Sequence, residues 1–370
     1  MHHEHEYNAI RNACALIDIT PLYKYLVTGK DATKLVNRVI TRDIDKVKPG
    51  QVIYCCWCDE QGMVIDDGTI TRLEENKYRW TAADPSLRWF RQNGLNMDVQ
   101  ITDISESVAA LALQGPTSSK LLKSVAEADI SKADIANLKY FRVTSGKIAG
   151  VPVDISRTGY TGDLGYEVWV PWDSAVKVWD ALMAKGKAFD LHPAGMLALD
   201  VARVEAGLLL IEVDYTSSKK ALNEIQKFSP YELGFGKMVH LEKENFIGRS
   251  ALVRDQKGCV PRQLVGLDIS WNDVEKLFDD VGLAPQIPAT ASRSAVPLYF
   301  GGKQAGKATT TSWSPLLKKM LALGSVKTEC AQLGTKLQME LTVEAVRHTV
   351  TATVVPMPFY NPARKTAVPV

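Results

Sequence analysis

No run of about 18 consecutive apolar residues occurs in the 370-residue chain, so no helix is expected to cross a membrane. Neither sign of charge is in excess: 44 Lys and Arg against 42 Asp and Glu leave a net +2. That balance gives no bulk electrostatic reason to bind nucleic acid or an anionic membrane surface. Cysteine is sparse, with six residues scattered at 14, 55, 56, 58, 259 and 330, the usage of free thiols in a reducing compartment. The start, Met1-His2-His3-Glu4-His5-Glu6, lacks the apolar stretch of a signal peptide, so a cytoplasmic location is the expectation. There is no GxGxxG opening a helix, no Walker loop and no G-x-S-x-G elbow, which removes the main support for dinucleotide, P-loop and serine-hydrolase chemistry.

Metal chemistry has little to stand on. Cys55-Cys56-Trp57-Cys58 places three thiols in four residues, but a structural zinc site needs a second ligand pair at regular spacing and none follows. The same residues read as a buried strand with alternating faces. His2, His3 and His5 sit on a polar, solvated start, while His192, His240 and His348 lie far apart and outside any motif. No metal is expected.

What is present is an ordinary globular mix, 46% hydrophobic and 23% charged, long enough for two to three domains at about 150 residues each. Three zones emerge. In the first, a helix is predicted over Gly29–Ile40 with Asp31 as its cap, strands at Val52–Cys58, Met63–Arg72 and Tyr78–Ala82, and a helix with Asp84 at the N-cap and Pro85 at its first position. The second begins near Val108. It offers strands at Val108–Leu113, Phe141–Ile148, Val151–Ser156 and Val168–Val170, and helices at Ser118–Val125, around Ala175–Met183 and at Met196–Gly207. That order suggests an α+β layer. The third, from about Leu264, has little helix and short strands between Gly and Pro: Leu264–Ile269, Leu298–Phe300, Gly306–Ser312, Leu321–Val326, Lys336–Glu340 and Thr349–Val355. This predicts a small antiparallel barrel or sandwich. The boundary falls within residues 255–262, and there is no internal repeat.

Two segments stand apart. In Asp59-Glu-Gln-Gly-Met-Val-Ile-Asp-Asp-Gly-Thr-Ile, adjacent carboxylates sit in an apolar strand pattern, where Asp is depleted. Alternation turns one of Asp66 and Asp67 inward, and an inward carboxylate costs several kcal/mol unless paired. The bland alternative is a strand ending at Ile65 followed by a surface turn. The second segment is Ser156-Arg-Thr-Gly-Tyr-Thr-Gly-Asp-Leu-Gly-Tyr-Glu-Val-Trp-Val. Its three glycines let backbone approach a ligand closely. Tyr160 offers a flat face, and Glu167 offers an acceptor suited to the N–H donors of an amino-pyrimidine edge. The alternative here is a Gly-rich turn with an exposed Glu.

At these segments the chain resembles the glycine-cleavage T protein (aminomethyltransferase) family, and within it the tetrahydrofolate-dependent demethylases more than the T protein proper. The likeness rests on Ile17-Asp-Ile-Thr, Leu26-Val-Thr-Gly-Lys-Asp-Ala, Glu60-Gln-Gly-Met-Val-Ile-Asp-Asp, Ala112-Leu-Gln-Gly-Pro, the Gly-rich segment, Arg203-Val-Glu-Ala-Gly-Leu, Phe246-Ile-Gly-Arg-Ser-Ala-Leu and Thr311-Ser-Trp-Ser-Pro, in order along nearly the whole chain. The resemblance implies an α+β, three-domain cloverleaf around a central folate channel, with a C-terminal antiparallel β-barrel. The domains implied are 1–25 with 107–255 (folate-binding), 26–106 (carrying the Asp pair) and 262–370 (the barrel). It further implies Asp67 as the catalytic aspartate, and Tyr54, Tyr160, Glu167 and Leu22 as folate-pocket residues.

The departures fall on the substrate side. Thr20-Pro21-Leu22-Tyr23 replaces the family's Ser-His-Met-Gly, and Leu199 stands at the position of an active-site arginine, with Arg203 kept one turn later. Residues 211–220 replace a Gly-x-Asp segment, and a family N-terminal stretch of about thirty residues has no counterpart. Leu199, Arg203 and Trp57 are therefore the substrate-side candidates. The expected activity is transfer of a one-carbon unit from a small S-, N- or O-methylated donor to N5 of tetrahydrofolate, giving 5-methyl- or 5,10-methylenetetrahydrofolate. The alternatives are glycine-cleavage aminomethyl transfer, with a lipoyl carrier protein as partner, and a non-catalytic folate-binding protein. The last expects a cysteine motif where Glu244-Asn-Phe-Ile-Gly-Arg-Ser-Ala stands.

Overall fold

The computed structural model describes residues 3–127, 135–258 and 260–367, so His2 and Cys259 lie outside it. The first elements are α1 (His3–Asn12), β1 (Cys14–Asp18), β2 (Tyr23–Thr28), α2 (Ala32–Val39), β3 (Gln51–Cys58), β4 (Val64–Glu74), β5 (Lys77–Ala82), α3 (Leu87–Asn93) and β6 (Gln100–Asp103). After them come β7 (Val108–Gln114), α4 (Ser118–Val125), β8 (Val143–Ile148), β9 (Val151–Ser156), β10 (Gly165–Pro171), α5 (Ala175–Gly186), β11 (Leu191–Pro193), α6 (Met196–Glu205) and α7 (Arg249–Lys257). The last are β12 (Arg262–Ile269), α8 (Trp271–Asp279), β13 (Val296–Phe300), β14 (Lys303–Ser314), β15 (Lys319–Lys327), β16 (Lys336–Val343) and β17 (Val346–Val355). No helix of the described residues is long and apolar enough to cross a membrane.

These strands make three sheets: a six-stranded sheet in the order β11-β1-β7-β10-β9-β8, a five-stranded sheet in the order β3-β4-β5-β2-β6, and a closed barrel β12-β15-β14-β13-β16-β17. The pairings are antiparallel except for β1 with β11. The fold is thus mixed α and β with a C-terminal antiparallel barrel, as the strand pattern of the third zone predicts. The chain forms two compact units. The first holds Met1–Gly195, Lys237–Leu252 and Pro362–Val370, and the second holds Met196–Gly236 and Val253–Asn361. β2 begins at Tyr23, so its first residues lie before the expected 25/26 domain boundary.

The five-stranded sheet buries one face against α2 and α3. Leu35, Val36 and Val39 of α2 and Trp89 and Phe90 of α3 share a core with Tyr25, Trp57, Ile70 and Trp80. Trp80 stacks on Phe90 at 3.9 Å and meets Trp57 edge-on at 5.3 Å, the geometries that ring quadrupoles favour.

Two cap expectations need correction. Asp31 does precede α2, but its carboxylate caps nothing there and instead accepts from the Asp98 N–H at 2.8 Å. The third helix begins at Leu87 after Ser86, not at Pro85 after Asp84. Tertiary bonds explain the delay: the Asp84 N–H donates to Asp66 and the Ser86 N–H to the Tyr25 hydroxyl. The third zone also contains α8, which sequence reading passed over. Its signal was Ser270, whose hydroxyl accepts from the Asp273 N–H, followed by the buried pair Val274 and Phe278 at i, i+4.

Candidate functional site

The Asp pair lies inside β4, which runs on to Glu74; the alternative of a strand ending at Ile65 is overturned. Pairing of β3 with β4 sets Cys56 opposite Asp67, Tyr54 opposite Thr69, and Trp57 opposite Asp66. Opposed residues share a face. Asp67, Tyr54 and Thr69 therefore occupy one face, and Asp66 lies with Trp57 on the face toward the aromatic core.

On that core face Asp66 is fully buried. Its carboxylate accepts from the backbone N–H of Asp67 at 2.8 Å and of Asp84 at 3.1 Å. Burial pushes its pKa up to about 8, the adjacent Asp67 charge adds to the rise, and the two N–H donors oppose it. Trp57, a substrate-side candidate, is a correction: it is 0% exposed and packed among Trp80 and Phe90. The alternation that puts Tyr54 on the site face puts Trp57 on the core face.

On the opposite face the Tyr54 hydroxyl donates to Asp67 Oδ2 at 2.5 Å. Burial holds the Tyr54 pKa well above its ordinary value, and the charges of Asp67 and Tyr160 push the same way. Asp67 and Tyr54 thus meet from neighbouring strands of one sheet, and Tyr160 approaches them from the Gly-rich loop. Gly68 follows the pair because a Cβ there would meet the Thr81 carbonyl of β5 at 2.0 Å. Leu22 is half-buried in the turn before β2, and its carbonyl accepts from the Lys24 ammonium at 2.7 Å.

The Gly-rich loop is organised by a residue that sequence reading did not single out. Gln114, buried at the end of β7, donates through Nε2 to the Thr158 and Tyr166 carbonyls and accepts from the Thr161 hydroxyl. A Cβ on Gly159 or Gly165 would meet Gln114 Oε1 at 2.1 or 2.2 Å. Those two glycines make room for a side chain of the protein, not for close approach of a ligand. The available signal was the Ala112-Leu-Gln-Gly-Pro motif itself: an amide at the end of an apolar strand needs partners.

Glu167 is half-buried on β10, so the alternative of an exposed Glu fails. Its Oε2 accepts from the Thr158 hydroxyl at 2.6 Å and, more weakly, from Ser156 at 3.5 Å. Burial raises its pKa, while the Thr158 bond, the Arg79 charge and Ser156 lower it. Arg79 was also missed. It is buried on β5, donates from Nη1 to Asp154 Oδ2 at 2.7 Å, and lies over the Trp169 ring at 4.3 Å.

Leu199 and Arg203 belong to α6, in the second compact unit. Leu199 is 4% exposed. The Arg203 guanidinium donates to Asp200 at 2.7 Å, to Asp214 at 2.5 Å, to the Leu208 carbonyl and to the Thr310 hydroxyl. Asp214, from the segment that departs from the family pattern, also accepts from the Thr309 and Thr310 hydroxyls and from the Leu210 N–H.

Burial holds the Cys55 and Cys58 thiols well above the usual thiol range, which disfavours either as a nucleophile.

Residues 1–243 match the family model for the GCVT N-terminal domain, and residues 280–361 that for the glycine cleavage T-protein C-terminal barrel domain. An aminomethyltransferase of Halothermothrix orenii is 32% identical over 358 residues, covering 96% of this chain and 90% of that protein. A trimethylamine-oxide aldolase of Ruegeria pomeroyi is 33% identical over 367 residues, covering 97% of this chain but 43% of that longer protein. The crystal structure of the glycine cleavage system aminomethyltransferase T from Bartonella henselae superposes with a TM-score of 0.78 at 22% identity, over 96% of this chain and 89% of that one.

Proposed function

The chain belongs to the glycine-cleavage T-protein (aminomethyltransferase) family, and from that premise we propose that it is a tetrahydrofolate-dependent one-carbon transferase whose donor is a small methylated compound. One observation carries the folate half of this reading. Asp67, Tyr54 and Tyr160 converge, while Glu167 has one oxygen tied to Thr158 and the other, Oε1, with no hydrogen bond among the described residues. A half-buried carboxylate with one committed oxygen suits the adjacent N–H donors of a pterin ring. When bound, tetrahydrofolate supplies a nucleophilic nitrogen, N5, that takes up the one-carbon unit.

The chain's own residues do the rest. Glu167 binds and orients the ring edge, and Tyr160 offers it a flat face. Asp67, held by the Tyr54 hydroxyl, keeps a fixed negative charge where positive charge develops on the transferred group. Leu22 closes the apolar side. Gln114 sets the loop that carries Tyr160, so that little must reorganise on binding. Transfer of a carbon between heteroatoms needs alignment and a dry site more than a strong acid or base. We extend the proposal to the domains: each of the three sheets forms the centre of one, with divisions near 1–25 plus 107–255, 26–106 and 262–370.

The donor half rests on Pro21, Leu22 and Leu199, which stand where the T protein carries His, Met and Arg. An arginine supplies five fixed donors and a permanent charge, and leucine supplies none. Exchanging that charge for an apolar side chain suits a methyl-bearing donor. Aminomethyl transfer from a lipoyl carrier protein is the second reading, favoured by relatives named aminomethyltransferase at 32% and 33% identity across 96% of the chain.

A panel of methylated sulfonium, amine and ether donors with tetrahydrofolate, read by mass spectrometry of the folate product, separates the two. Product from a methylated donor, with none from an aminomethyl-lipoyl carrier, is the expected result. Robust methylenetetrahydrofolate and ammonia from the carrier would overturn the donor assignment.

A further inference from the structure

The buried guanidinium of Arg79 is not used by the chemistry above, and its surroundings give it a task. Arg79 sits on β5 of the five-stranded sheet, yet its contacts are with the six-stranded sheet. Nη1 pairs with Asp154 of β9 at 2.7 Å, and the guanidinium lies 4.3 Å from the centre of the Trp169 ring on β10. Trp169 and Glu167 are two apart on β10 and so share a face. The Trp169 indole N–H donates to Ser156 at 3.0 Å, and Ser156 in turn meets Thr158, which donates to Glu167. Arg79 is thereby placed beside Glu167 by a rigid ring and a chain of hydroxyls. Its Nε and Nη2 are buried and have no hydrogen-bond partner among the described residues. A buried guanidinium with two unspent nitrogens is costly unless its charge acts on something.

Its salt-bridge partner does not cancel that charge at Glu167. The Asp154 side chain is 30% exposed against 4% for Arg79, so water screens the carboxylate more than the guanidinium. The Asp154 Oδ1 is also occupied, accepting from Ser145 at 2.8 Å. The groups that face Glu167 are Arg79 from β5, Tyr140 from the segment before β8, and the hydroxyls of Ser156 and Thr158. Of these Arg79 alone is a cation.

Resting on the folate reading, we infer that Arg79 is a positioning residue: fixed by Asp154 and Trp169, it keeps the Glu167 carboxylate charged and able to accept the N–H donors of a pterin edge. The opposing influence is desolvation, which raises the Glu167 pKa. Without Arg79 that influence is unopposed by charge. Glu167 then takes up a proton at higher pH and loses acceptor capacity as pH falls.

The test uses the full chain and two readouts. The Glu167 carboxyl carbon is titrated by 13C NMR without ligand, assigned through Glu167→Gln. The affinity for 5-formyltetrahydrofolate is measured by calorimetry between pH 5.5 and 9. In Arg79→Met the Glu167 titration is expected to move to higher pH, and affinity to fall by about tenfold for each pH unit below the raised pKa, recovering as pH rises. Arg79→Lys, which keeps the charge, is expected to lie between Arg79→Met and wild type. Should Arg79→Met fold poorly because Asp154 is left unpaired, the double variant with Asp154→Asn removes both charges and answers the same question. An unmoved Glu167 titration, with an affinity offset constant across pH, overturns the inference. The ligand-free titration decides it even if wild type binds no folate at any pH, a result that sinks the folate reading alone.

Discussion

Arg203 and Arg79 are both buried guanidiniums beside carboxylates, and they are used in opposite ways. In the second unit Arg203 meets Asp200 and Asp214, and it also donates to the Leu208 carbonyl and the Thr310 hydroxyl. The Asp200 Oδ2 is taken by Arg293, and both oxygens of Asp214 are taken as well. Among the described residues of the first unit, Arg79 spends one nitrogen on Asp154 and leaves Nε and Nη2 without partners, while Glu167 makes its hydrogen bonds through Oε2 alone. A saturated polar network specifies structure; a network with spare donors and acceptors is prepared for something outside itself. On this comparison the proposed recognition site draws on Arg79, Glu167, Tyr54 and Asp67, and the bonds of Arg203, one of the substrate-side candidates, stay within its own unit.

The sharpest way to break the comparison is to remove Arg203. Arg203→Met leaves the buried Asp214 without its cation and Asp200 with Arg293 alone, which should cost about 3–5 kcal/mol. A large drop in denaturant midpoint is expected, together with loss of the folded second unit. Unchanged stability with lost activity would return Arg203 to the substrate side.

Next in size is Asp67→Asn. If Asp67 acts as a fixed charge at the reacting centre, kcat should fall about 10²- to 10³-fold, the cost of removing one preorganised electrostatic group. Folate affinity should stay within a few-fold. Asp66→Asn should be milder in turnover, because Asp66 faces the core. Equal losses from the two would mean that the face assignment does not govern the chemistry.

Smaller again is Glu167→Ala. Losing a carboxylate that accepts charge-assisted bonds from a pterin should cost about 1.5–3 kcal/mol, or roughly 10- to 150-fold in affinity. Calorimetry with 5-formyltetrahydrofolate checks it, and unchanged affinity would remove Glu167 from the pocket.

Much of this was legible in the chain itself. Strands with strong β-branched or apolar content appear close to where the residues point, as at Val52–Cys58 and Val151–Ser156, because local patterning and tertiary burial agree there. The barrel was readable for the same reason. Asp67, Tyr160 and Glu167 were marked by residue types that strands and turns disfavour without a purpose. Trp57 was misplaced because a single row of letters does not say which strand face is the core. That is settled by the partner strand's register and by the packing of α2 and α3. Arg79 and Gln114 were unreadable for a related reason. Each acts across a sheet or loop more than 40 residues away in sequence, as the 75-residue separation of Arg79 from Asp154 illustrates.

Asp66 offers the cleanest sign, read in stability rather than in turnover. It is the inward member of the pair, with a folded-state pKa of about 8 against an ordinary 3.8, raised first by burial and then by the Asp67 charge. A group whose pKa is raised on folding binds its proton more tightly in the native state. Its contribution to stability is therefore fully present below the unfolded value and is lost as pH climbs through the folded one. The wild-type stability curve should accordingly slope downward from about pH 4 to about pH 8 on account of this residue. Asp66→Asn cannot ionise and should flatten that part of the curve. It also replaces one carboxylate oxygen by an NH2 group that cannot accept from the Asp67 or Asp84 N–H, so an offset of about 1–3 kcal/mol at low pH is expected alongside the flattening. Denaturant midpoints for both proteins at pH 4.5, 6 and 8 separate the two contributions, since the offset is constant and the slope is not. A wild-type curve that rises across the window with an unchanged slope in Asp66→Asn would show that Asp66 is ionised throughout. The two backbone N–H donors would then outweigh its burial, and the two faces of the sheet would differ less in electrostatics than their packing implies.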